Sequence, residues 1–209
     1  MDIKLIFEAI LLGLTLTIML GPIFITVTQI AIERGAKAGL VACTGVWVSD
    51  VIIVAACYFF IQRLNSLISD GSFTYWMGLF GGFILIAFGF ATMLSKAKLN
   101  IDSSAHSAND YLSYWTKGFL VNTVNPFTFI FWIGVISNQV IGKNISLNEG
   151  LIFFGIIILI IMMSDTLKVF AAKLLRKKLN AENFGMISKI AGVCLIIFGL
   201  VMLFRTGGM

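Results

Sequence analysis

The sequence predicts an all-α membrane protein of one domain: six transmembrane helices arranged as two inverted three-helix repeats, with helices one and four broken at Gly21-Pro22 and Asn125-Pro126. Three observations lead there. Of the 209 residues 59% are hydrophobic and only 12% charged, with a mean hydropathy of +0.99, against roughly 25% charged in an ordinary soluble domain. Six runs are long and charge-poor enough to cross a bilayer, which takes about 20 apolar residues per helix. Finally, three costly or distinctive features occur in the same order in both halves of the chain.

The runs lie at about 6–30, 38–62, 74–95, 115–138, 149–172 and 187–205, by continuity of apolar residues. Their total leaves no room for a soluble domain. The opening Met1-Asp2-Ile3-Lys4 has no basic leader and no small-residue cleavage site, so the first run is expected to be retained rather than removed as a signal peptide. Residues 97–113, rich in Ser, Asn and Asp, form the longest polar connector. They divide the chain into a first repeat over about 5–96 and a second over about 114–206, within a single domain 1–209.

Loop charges set an orientation. Ten of the 15 Lys and Arg residues follow runs one, three and five: Arg34, Lys37, Lys96, Lys98, Lys117, Lys173, Arg176, Lys177, Lys178 and Lys189. Four, Lys4, Arg63, Lys143 and Arg205, fall on the other side, and Lys168 sits inside run five. The positive-inside rule then makes the first group cytoplasmic and puts both termini outside. It also accounts for the net charge of +5 without a nucleic-acid partner.

The repeat rests on three correspondences. Gly82-Phe-Ile-Leu-Ile-Ala-Phe-Gly89 of run three matches Gly192-Val-Cys-Leu-Ile-Ile-Phe-Gly199 of run six. Pro22 of run one corresponds to Pro126 of run four, and these are the only two prolines. Asp50 of run two corresponds to Asp165 of run five. With three crossings per half, an odd number, the second copy enters from the opposite face, as in many secondary transporters whose site lies between the halves.

Each proline withholds an N–H from the residue four before it, Ile18 or Asn122, and crowds that carbonyl. In lipid this is tolerated only where protein or a wet cavity supplies a partner. Gly and Asn are good N-caps and Pro suits the first helical position. Both breaks therefore read as a helix restarting in mid-span, with two N-termini offering N–H groups and partial positive charge to an anion such as a carboxylate. The alternative is a plain kink repaired by Thr17, Thr26 or Asn122.

An aspartate at the centre of a spanning helix costs about 2.5–3.5 kcal/mol, so Asp50 and Asp165 are expected to face the interior, where such a carboxyl can take up and release a proton or bind an amine. Lys168, three residues after Asp165, shares its helix face and could simply neutralise it. Cys43, Trp47 and Cys57 share the face of Asp50. Three cysteines without a CxxC indicate neither a disulfide framework nor a zinc knot, and these side chains read as small packing residues. His106 falls in the polar connector. No HExxH, P-loop or in-span histidine is present, so neither an enzyme nor a cofactor is expected, and no metal site is expected. Gly78, Gly81 and Gly82 could let helices approach closely, either in a homodimer or within one subunit.

Gly21-Pro22, Glu33-Arg34-Gly35, Lys37-Ala38-Gly39, Gly45 and Asp50, then Gly118-Phe-Leu-Val-Asn122-Thr-Val-Asn125-Pro126 and the Asp165 segment, resemble the lysine-exporter (LysE/RhtB) family of bacterial transporters over nearly the whole chain. The sequence differs from the common pattern in having Leu20 before Gly21 and Ile23 after Pro22. The resemblance implies a multi-pass inner-membrane exporter of amino acids or related metabolites, driven by the proton or ion gradient, with membrane lipid and a small-molecule substrate as its partners. With the residue readings above, it gives Gly21, Pro22, Asn122, Asn125 and Pro126 as substrate-binding candidates and Asp50, Asp165 and Lys168 as coupling candidates. Metal-ion efflux and thiol-electron transfer, found in a wider superfamily, are the alternatives.

Overall fold

The computed structural model describes residues 3–18, 21–68, 71–94, 107–175 and 181–207. The expected positions Leu20, Lys96, Lys98, His106, Arg176, Lys177 and Lys178, with most of the connector 97–113, lie outside the described residues. The described residues are almost wholly helical: α1 (Ile3–Ile18), α2 (Pro22–Arg34), α3 (Ala36–Ile68), α4 (Gly71–Leu94), α5 (Ala108–Thr123), α6 (Pro126–Ile136), a π-helical turn (Ser137–Gly142), α7 (Leu147–Leu175) and α8 (Ala181–Gly207). No strand occurs among the described residues.

Each of the six apolar runs falls on helix, but two are split. Between α1 and α2 the axis turns by 64°, and between α5 and the segment Phe127–Val140 by 60°. These angles exceed an ordinary bend, and they fall at the two prolines. Gly21 is extended (φ −144°, ψ −172°), and the first backbone bond that closes α2 runs from the Ile25 N–H to the Gly21 carbonyl at 3.1 Å. At the second break the Asn125 N–H returns to the Asn122 carbonyl at 3.1 Å, which gives that proline-deprived oxygen a partner through a tight turn. The repair expected from Thr17 or Asn122 side chains is not the one used. Thr17 donates to the Leu14 carbonyl at 2.7 Å, and the Asn122 amide points to another helix.

Two helices, over Ala36–Phe60 and Leu147–Leu174, are long and apolar enough to cross a membrane alone, and each bent pair makes one more candidate span. Gly78–Leu94 and Gly192–Thr206 are apolar but shorter. Outward-facing side chains such as Phe7, Phe59, Phe80, Leu167 and Phe204 are more than half exposed. So much exposed apolar surface would be prohibitive in water and suits acyl chains. α5 begins at Ala108, ahead of the expected 115, because Ser107 and Asp110 form a reciprocal capping box inside the polar connector.

The elements pack by exchange between the halves. α1 lies on α7 while α5 lies on α3; α2 reaches α7 while α6 reaches α3; α4 and α8 make the most extensive contact of all. Glycines set the spacing. A Cβ on Gly199 would stand 2.7 Å from the Gly82 carbonyl, and one on Gly192 would stand 2.5 Å from that of Gly89. Gly78 and Gly81 likewise face Thr206 and Met202 of α8. The glycines that suggested a homodimer are therefore occupied inside one subunit, which removes that ground for expecting one. At the α3–α5 crossing Gly45 abuts the Trp115 carbonyl and Gly118 the Ala42 carbonyl, so two backbones nearly touch there. α2 ends at Gly35, whose φ of +92° lets the chain reverse into α3.

Candidate functional site

The two breaks open onto one cavity of about 90 Å³, lined among others by Gly21, Pro22, Asp50, Asn122, Asn125, Asp165 and Lys168. At roughly 10–15 Å³ per water it has room for several waters, or for a small polar molecule. Seven of the eight residues expected to bind or couple thus meet at one place. The eighth, Pro126, opens α6 beside Asn125.

Asp50 sits 14 residues after Ala36 and 10 before Phe60 in its span, close to the middle of the apolar stretch. It is 5% exposed. Its Oδ1 accepts from Asn122 Nδ2 at 3.0 Å and from Trp132 Nε1 at 3.1 Å. Both donors that reach it among the described residues go to Oδ1, which leaves Oδ2 open to the cavity that Asp50 lines. Asn122 is fixed in turn: Nδ2 also donates to the Val46 carbonyl at 3.2 Å, and Oδ1 accepts from Thr128 Oγ1 at 2.9 Å. The close α3–α5 crossing at Gly45 and Gly118 is what carries Asn122 to Asp50.

Asp165, 8% exposed, is held differently. Lys168 Nζ donates to Oδ1 at 3.1 Å and Trp47 Nε1 to Oδ2 at 3.2 Å. Both oxygens are engaged, and the i, i+3 ion pair considered from the sequence is formed. Trp47, placed by spacing on the face of Asp50, sends its indole across to the other aspartate.

The two helix starts also differ. Gly21 has no side chain with which to cap α2, and no side-chain cap closes it among the described residues. The N–H groups of Ile23 and Phe24 therefore stand outside the ladder of α2, as the first N–H groups of any helix do, and both residues line the cavity. At α6 the Asn125 Oδ1 accepts from the Phe127 N–H at 3.2 Å and Thr128 N–H returns to the Asn125 carbonyl at 3.1 Å. The pair of equivalent anion sites expected at Pro22 and Pro126 is thus one open helix start and one closed by its own cap.

Trp132 and Thr128 were not singled out in the sequence. A buried indole needs an acceptor for its N–H, and Trp132, 1% exposed, finds it in Asp50. Among the cysteines, Cys43 and Cys57 are buried in different core clusters, and among the described residues no three His, Cys, Asp or Glu side chains gather as a metal cluster.

Comparison with known proteins extends this geometry to a family. No solved structure matches the chain. A relative from Bacillus subtilis (strain 168) named "Putative amino acid efflux protein YcgF" is 26% identical over 197 residues, covering 91% of this chain and 90% of the relative. The family model described as LysE type translocator matches residues 14–206, which takes in both helix breaks, both aspartates and every residue that lines the cavity. This multi-pass membrane protein is a transporter and belongs to the LysE type translocator family.

Proposed function

We propose that the chain is a secondary transporter that exports amino acids or related small metabolites from the cytoplasm, coupled to the proton gradient. The observation that carries this reading is the single open carboxylate oxygen of Asp50 in a cavity that also receives the uncapped start of α2. A zwitterion has one group for each: its ammonium for Asp50 and its carboxylate for the Ile23 and Phe24 N–H groups, where the helix end is partly positive. The amide nitrogen of Asn125 lies on the same cavity wall. Family membership and the efflux name of the Bacillus relative support the direction and the substrate class.

In this reading the chain makes six crossings as two inverted repeats in the bacterial inner membrane, with both termini outside and acyl lipid around it. The exchange of packing between halves, and the pairing of Gly82 with Gly199 and of Gly89 with Gly192, support that symmetry. Asp50 releases its substrate when a proton from outside takes the place of the ammonium. Asp165 and Lys168 form the second coupling position, which rearranges only when their ion pair opens. Metal efflux and thiol-electron transfer remain the lesser alternatives, with no donor cluster or cysteine pair among the described residues to favour them.

The test is efflux from proteoliposomes loaded with labelled amino acids, with and without an imposed proton gradient, alongside profiling of the medium from cells with and without the protein. Gradient-accelerated export is expected. Export at the same rate with the gradient collapsed would refute the coupling.

A further inference from the structure

We propose that this cavity selects amino acids with uncharged, apolar side chains, such as leucine, isoleucine or phenylalanine, over cationic, acidic or strongly polar ones. This rests on the exporter reading given above. It comes from counting which groups in the wall are still available to a third part of a substrate.

The only acids among the lining residues are Asp50 and Asp165, and the only base is Lys168. Asp165 has both oxygens engaged, by Lys168 and by Trp47. One carboxylate oxygen, Asp50 Oδ2, is therefore open, and the α-ammonium takes it. The α-carboxylate takes the start of α2. Lys168 is balanced by the Asp165 carboxylate it is bonded to, so this pair offers no net charge to a second ammonium or a second carboxylate on the side chain.

Most neutral polar groups are likewise engaged with one another. Thr128 donates to Asn122, Asn122 to Asp50 and Val46, Trp132 to Asp50, and Thr17 to the Leu14 carbonyl; Asn125 uses its oxygen on the Phe127 N–H, which leaves its amide N–H donors for the α-carboxylate. What remains of the wall is apolar: Leu16, Ile23, Phe127, Phe131, Ile161 and Leu195. Phe127 and Phe131 stand one turn apart on α6 with ring centroids 6.3 Å apart, so they present a continuous aromatic surface. A hydrocarbon side chain loses nothing there and leaves water. A charged one would be buried without a partner, which disfavours it by on the order of 100-fold.

The experiment uses purified protein in liposomes loaded with an equimolar mixture of labelled leucine, phenylalanine, lysine, glutamate and serine, with Ile161→Asp prepared in parallel. The inference expects leucine or phenylalanine to leave roughly 100-fold faster than lysine or glutamate. It also expects Ile161→Asp to lose most leucine efflux and to gain measurable lysine efflux, because it adds a carboxylate to the apolar wall. Export of lysine, glutamate or serine ahead of leucine by the native protein would overturn the selectivity and leave the exporter reading standing. Failure of every amino acid to leave, from protein shown to be inserted and folded, would overturn both.

Discussion

Asp50→Asn separates the charge of the site from its shape. The asparagine carbonyl can accept the same two donors, Asn122 Nδ2 and Trp132 Nε1, at the positions where Asp50 Oδ1 now accepts them at 3.0 and 3.1 Å. Those bonds weaken by about half when the acceptor is neutral, a loss of roughly 1 kcal/mol each. Against this, the substitution removes an aspartate whose cost in mid-span is about 2.5–3.5 kcal/mol. The two effects nearly cancel, so thermal unfolding in detergent is expected to shift little and in the stabilising direction. Transport responds differently. Taking away one partner of a buried ion pair costs about 3–5 kcal/mol, so efflux of a zwitterionic substrate from proteoliposomes should fall by 100-fold or more. Efflux within twofold of the native protein, from a variant with unchanged unfolding temperature, would refute the role given to Asp50.

Four further outcomes are expected. Gly118→Val pushes a side chain into the Ala42 carbonyl of α3, where backbone faces backbone and neither can yield; overpacking of this kind costs about 1–3 kcal/mol or more. Gly21→Ala places its methyl where nothing lies within 4 Å, and its unfolding free energy should stay within about 0.5 kcal/mol of the native value, as at unencumbered sites. Lys168→Met leaves a nearly buried Asp165 with only Trp47 and is expected to destabilise by roughly 3 kcal/mol. The double change Asp165→Asn with Lys168→Met should recover most of that, and thermal unfolding of Lys168→Met, Asp165→Asn and the double variant checks the coupling. Replacing Cys43, Cys57 and Cys194 together with alanine is expected to keep efflux within a few-fold, since all three are free thiols and the first two are packed in the core; abolished transport would revive the thiol reading.

The prolines and aspartates were readable in the sequence because each is expensive where it stands, and expense at membrane depth demands an explanation within the chain itself. The residues that complete the site were not readable, for a geometric reason. Trp132 meets Asp50 across 82 positions and Trp47 meets Asp165 across 118. Helical periodicity says which residues share a face but not which face turns to which neighbour. Trp47 illustrates this: its spacing puts it beside Asp50, yet an indole is long enough to cross the gap between α3 and α7. The asymmetry between the two helix starts was hidden for another reason. Both Gly and Asn are acceptable N-caps, and only the coordinates reveal that Asn125 closes its helix with its own side chain whereas Gly21 has nothing to close with.

That asymmetry bears on how a repeated architecture can work as a transporter. Two identical half-sites would hold two carboxylates, or one in either of two poses, and a substrate bound equally well both ways gains no direction from its own charges. Here one half contributes an open helix start and an open aspartate oxygen, while the other has its helix start capped and its aspartate tied by Lys168 and Trp47. In the proposed reading a zwitterionic substrate therefore has one orientation. The packing gives that orientation a mechanical setting, because α2 rests on α3 and α7, and α6 on α3. Any relative movement of α3 and α7 shifts the open helix start and changes the separation of Asp50 and Asp165 together. The groups proposed to grip the two ends of a zwitterion thus belong to α2 and α3, two elements packed on each other. The tight glycine contacts of α4 with α8 join the two halves directly.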